Sequence, residues 1–65
     1  MNKKAYEDKL TELTIAAGRL DEVKLAYFEE GSLEAIMLNA IADILMKQYV
    51  KFAEEYELLK SKGLL

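Results

Sequence analysis

The chain contains no proline, and its only glycines stand at positions 18, 31 and 63. These two residue types are the strongest interrupters of a helix. A chain so poor in them, and dominated by Ala, Leu, Glu and Lys, has few places to bend. No stretch alternates apolar and polar residues for long enough to suggest a strand. The expected fold is therefore all-α.

One stretch gathers the signals of a corner: Phe28-Glu29-Glu30-Gly31-Ser32-Leu33-Glu34. Gly31 suits the left-handed conformation required just past a helix end. Ser32 suits a helix N-cap, and Glu34 would face the positive end of the helix dipole. Lys60 and Lys62 followed by Gly63 mark a second end. These signals place a first helix at about residues 3 to 30 and a second at about 33 to 62. Two helices of similar length joined by a tight corner make an antiparallel hairpin. Gly18 offers an alternative, a break that would divide the first helix and give three segments.

The apolar spacing fits the hairpin. In the first helix Tyr6, Leu10, Leu13, Ala17, Leu20, Lys24 and Tyr27 follow one another at steps of four and three. In the second, Ala35, Leu38, Ala42, Leu45, Tyr49, Phe52, Tyr56 and Leu59 do the same. That is the 3.5-residue repeat of coiled-coil packing. Folding at 31/32 sets Tyr27 against Ala35, Leu20 against Ala42, Ala17 against Leu45, Leu13 against Tyr49 and Leu10 against Phe52. Several layers pair a large side chain with a small one, as a filled core requires. Lys24 falls on the stripe opposite Leu38, its stem able to pack while its amine reaches outward.

A 65-residue chain makes one domain, spanning 1–65. Domains of that size bury only about 60% of their unfolded surface. They usually need a staple. There is no cysteine for a disulfide and no histidine for a Cys/His zinc site. The remaining staple is another polypeptide. The chain is nonetheless 52% hydrophobic, and the second helix carries more apolar surface than one neighbour can cover. Met37, Ile41 and Ile44 flank its core stripe on one side. Ile36, Met46, Val50 and Ala53 lie on the other, and the first helix adds Val23, Leu25 and Phe28 near the corner. Leaving half a dozen such side chains wet forfeits about 1.5 to 3 kcal/mol each. The expectation is self-association into a four-helix bundle, as a two-fold dimer first and a higher oligomer second, through Phe28, Ile36, Met37, Ile41 and Ile44.

Charge excludes some functions. With nine basic and twelve acidic residues, net −3, no basic face is available for nucleic acid. Met-Asn-Lys-Lys is followed by Ala-Tyr-Glu-Asp and not by an apolar run, so no signal peptide is expected. The Leu33–Met46 stretch is interrupted by Glu34, Asn39 and Asp43 and is too short to span a bilayer. A cytoplasmic location is the default. No metal or cofactor is expected, and with two serines and no histidine there is little material for nucleophilic catalysis.

Residues 29 to 45, EEGSLEAIMLNAIADIL, are distantly similar to the acidic helices of all-α nucleotide pyrophosphohydrolases of the MazG type. That resemblance implies Mg²⁺ held by Glu-Glu-x-x-Glu on one helix and Glu-x-x-Asp on the next. Here Glu34 follows Glu29 by five residues, and Ala40 stands three before Asp43. The pattern therefore lacks ligands it needs. A second alternative is a nucleotide-like small molecule at a subunit seam, with tyrosine for stacking and Arg19, Lys24 and Tyr27 as binding residues. The leading reading is a non-enzymatic, self-associating hairpin that binds another macromolecule, a protein, as regulator, inhibitor or assembly factor.

Overall fold

The computed structural model describes residues 2–65. Two helices account for nearly all of them: α1, Lys3–Tyr27, and α2, Leu33–Ser61. They run antiparallel in a slender hairpin measuring 47 × 15 × 12 Å. α1 passes through Gly18 without a break. The three-segment alternative does not occur.

Each terminus of the helices is closed by local chemistry. At the start of α1 the Asn2 side chain accepts the Ala5 N–H at 2.8 Å. At the start of α2 the Ser32 hydroxyl oxygen accepts the Ala35 N–H at 3.2 Å. Such caps satisfy backbone donors that have no partner inside the helix. α2 ends in a Schellman arrangement: Leu64 N–H donates to the Leu59 carbonyl at 2.9 Å and Gly63 N–H to that of Lys60 at 3.1 Å. Gly63 takes a φ of 71°, the left-handed value this motif demands.

The corner differs from the expected one. α1 stops at Tyr27, not at residue 30, and Phe28 is extended, with φ −129° and ψ 144°. The helix dipole supplies a reason. Three more residues would put Glu29 and Glu30 at the negative end, where acidic side chains are unfavourable. Ending at Tyr27 instead leaves Lys24 in the last turn. Glu29 and Glu30 then enter a four-residue turn closed by Ser32 N–H donating to the Glu29 carbonyl at 3.1 Å. Gly31, third in that turn, has φ 81°, a value that other residues rarely adopt.

Early termination changes one core layer. Tyr27 was expected opposite Ala35, but it is 78% exposed. The extended Phe28, itself 37% exposed, lines the cleft at the bend together with Ala35. Every other position of the two stripes is buried or half-buried. At the open end the Tyr6 ring packs against Phe52, centroids 6.4 Å apart, and against Tyr56 at 6.1 Å. Near the bend the Lys24 ammonium donates to Asn39 Oδ1 at 2.8 Å. These contacts hold the register from both ends.

The core is one layer deep. Among the described residues only Tyr6, Leu13 and Ala35 are buried, and no side chain is completely enclosed. A two-helix hairpin gives each helix a single neighbour, so a central layer with wet edges is what this topology can deliver.

Candidate interaction surface

The side chains that border the central layer fall on two flanks, and helix geometry sorts them. A cleft of about 420 Å³ near the bend is lined by Lys24, Leu25, Phe28, Ala35 and Asn39, with Glu30 and Gly31 at the turn. Leu25 of α1 and Asn39 of α2 therefore share one side of the hairpin. Residues advance about 100° each around an α-helix. Val23, two before Leu25, and Met37 and Ile41, two either side of Asn39, are thus about 200° away, on the opposite flank. Ile44 lies three residues beyond Ile41 and joins them.

Both flanks carry exposed apolar side chains, since Met46 and Val50 follow Asn39 by seven and eleven residues along the cleft side; what distinguishes that side is its polar edge. On the cleft side Lys24 is held twice, by Asn39 and by Asp21 Oδ1 at 3.1 Å, with its side chain 23% exposed. The stem packs as expected, but the amine is bound within the hairpin and does not extend freely. Leu25 stands out from the cleft, exposed. On the opposite flank Val23, Met37, Ile41 and Ile44 make an apolar patch, bordered by Arg19 four residues before Val23 and by Glu34 seven before Ile41. Met37 is 57%, Ile41 46% and Ile44 59% exposed.

Of the five residues expected at an oligomer interface, all are at the surface, and the hairpin gathers three of them. Met37, Ile41 and Ile44 share the flank opposite the cleft. Phe28 lines the cleft on the other side. Ile36 follows the buried Ala35 by one residue and so points outward from the back of α2, where Leu33 is also exposed. The part that sequence spacing did not resolve was the contribution of Val23. Placing it beside Met37 and Ile41 needs the direction in which the chain turns back, which a helical wheel for one segment does not contain.

The other candidates are distributed differently. Of Arg19, Lys24 and Tyr27, only Lys24 lines the cleft. Arg19 and Tyr27 are exposed on α1, so one copy does not assemble the three into a wall. Among the described residues no three carboxylates are close enough to share a metal ion. Both serines are engaged locally, Ser32 as the cap of α2 and Ser61 donating to the Leu58 carbonyl at 2.9 Å. A second, shallow depression of about 210 Å³ lies between Leu10, Thr14 and Tyr49. The threonine hydroxyls there donate to the backbone of their own helix, Thr11 to Glu7 and Thr14 to Leu10.

The aromatic end is also self-contained. Tyr56 donates its hydroxyl to Glu7 Oε1 at 3.3 Å, and the Lys60 ammonium lies 5.8 Å from the Tyr56 ring centroid. Partial removal from water pushes the Tyr6 and Tyr56 hydroxyls above the usual phenol range. The neighbouring carboxylates act in the same direction, Glu55 on Tyr6 and Glu7 on Tyr56. These groups hold the two helices together at that end.

The fold and its flanks define a helical hairpin with exposed apolar surface. Compared with protein-family models, with curated proteins and with solved structures, the chain matches none. No helix among the described residues is long and apolar enough to cross a membrane.

Proposed function

We propose that this chain is a non-enzymatic interaction module. It associates with copies of itself and, as that assembly, docks onto another macromolecule, a protein, to regulate, inhibit or help assemble it. The observation that supports this reading is the pairing of a one-layer core with an uncovered apolar flank. Met37, Ile41 and Ile44 are 46–59% exposed, and among the described residues no side chain is completely enclosed. Contiguous exposed apolar surface of this kind characterises interfaces. Methionine adds an adaptable contact, suited to protein surfaces.

The test combines mass and capture. Light scattering on the purified chain should give a multiple of 7.4 kDa, and immobilised chain should retain a defined protein from its native host. Retention should be lost with Leu25→Glu, on the cleft side. A monomer at all concentrations that retains nothing would refute the reading.

A further inference from the structure

The structure points to a specific division of labour between the flanks: a second copy of this chain covers Val23, Met37, Ile41 and Ile44. The cleft side with Leu25 and Phe28 then faces outward. The inference rests on the self-association proposed above and adds which surface performs it.

Area is the first support. A compact protein of 7.4 kDa presents about 4,200 Å² to solvent. This hairpin presents 5009 Å², an excess of roughly 800 Å². A stable interface of standard size buries about 800 Å² on each partner. One face-to-face contact between two hairpins therefore removes the surplus that makes the single copy unusual.

Charge is the second. The four apolar side chains carry no charge, and the two ionised residues that border them, Arg19 beside Val23 and Glu34 beside Met37 and Ile41, are of opposite sign. Beyond it, toward the open end, helix periodicity carries Lys9 and Glu12 of α1 along the line of Ala16 and Val23. Lys51 and Glu55 of α2 continue the line of Ile44 and Met37. With Arg19 and Glu34 included, the face carries Lys9, Arg19 and Lys51 against Glu12, Glu34 and Glu55, and Lys9 and Glu12 already approach to 3.8 Å. A neutral, mixed strip meets its own copy without net repulsion. Complementarity to a strongly charged partner would call for a single sign. The cleft side, with Lys24 tied to Asn39 and Asp21, presents a polar edge that a two-fold contact would have to desolvate.

The native chain has no cysteine, so a single introduced thiol reports on one position alone. Met37→Cys, Ile44→Cys and Leu25→Cys would each be made, checked for helicity, and labelled with a maleimide over a range of protein concentrations. The expected result is labelling at 37 and 44 that slows as the chain is concentrated, with an unchanged rate at 25. Ile41→Glu should weaken self-association on the order of a hundredfold or more in sedimentation, with helicity retained at high concentration. Oligomers that protect Leu25→Cys, or protect none of the three, overturn this assignment while leaving self-association standing. A folded, single-copy species throughout the range overturns both.

Discussion

Gly18→Ala should stabilise this protein, which is the opposite of what a glycine kept for close helix contact would show. Gly18 lies in the interior of α1 with ordinary right-handed helical geometry, since only Gly31 and Gly63 have positive φ. A Cβ built at Gly18 meets nothing within 4 Å. No clash offsets the gain from restricting the unfolded chain, and the substitution should contribute about 1 kcal/mol. For a domain of 60–100 residues that corresponds to a rise in melting temperature of about 4–8 °C. The assay is thermal unfolding followed by circular dichroism, at one fixed chain concentration because association shifts the midpoint. The position also tests the assignment of flanks. Gly18 lies seven residues before Leu25, almost directly along the helix on the cleft side, and away from Val23. Self-association should therefore be unchanged. A lowered melting temperature, or a weakened oligomer with normal helicity, would mean that another helix approaches α1 at Gly18. The interface would then lie on the cleft side.

Three further outcomes follow from named contacts. Leu13→Ala removes a buried side chain from the central layer and should cost about 2–5 kcal/mol in urea unfolding. That is a large share of the total stability of so small a domain, so partial unfolding at low concentration is expected. Ser32→Ala deletes the α2 cap and should cost about 1 kcal/mol by the same measurement, with Ser32→Asp restoring most of it. Above pH about 10 the protein should lose stability through Tyr6 and Tyr56. Both hydroxyls titrate higher folded than unfolded, so the unfolded chain releases its protons first. Their contribution is complete below the ordinary phenol range and disappears as pH rises through the folded values. Tyr6→Phe with Tyr56→Phe should flatten that alkaline decline, as followed by helicity against pH.

The hairpin was legible because its determinants are local. The lack of proline, the 3.5-residue stripes and the Gly31-Ser32 pair each act within a few residues, and together they leave one way to fold in two. The stripe positions from Tyr6 to Lys24 and from Ala35 to Leu59 were all readable from spacing. The corner was not, because two local preferences compete there. Apolar periodicity extends α1 through Tyr27 and onward, while Glu29 and Glu30 oppose a helix end at residue 30. The electrostatic preference prevails, Phe28 lines the cleft with Ala35, and the Tyr27 ring assigned to the core becomes exposed.

The candidate surface was legible by residue type and illegible by side. Spacing on α2 alone grouped Met37, Ile41 and Ile44, because they recur on one helical face. The two other expected interface residues stand apart from that face, Phe28 lining the cleft and Ile36 at the back of α2. Which residues of α1 join a given face depends on the hand of the connection, a property of the pair of helices.

Topology turns this surface into an argument about assembly. In a hairpin no change of side-chain size can deepen the core, because each helix has only one neighbour. Additional burial requires additional helices, and α1 and α2 take up nearly all of the described residues. Residues such as Ile41 and Ile44 therefore add nothing comparable to folding of one copy, yet they are the kind of side chain that stabilises a bundle of four. Their exposure ties stability to concentration: each doubling of the chain should raise its melting temperature if the flank closes on a second copy. Ile41→Glu should abolish that dependence. Leu25→Glu should preserve it, because Leu25 lies on the flank that the proposed pair leaves uncovered.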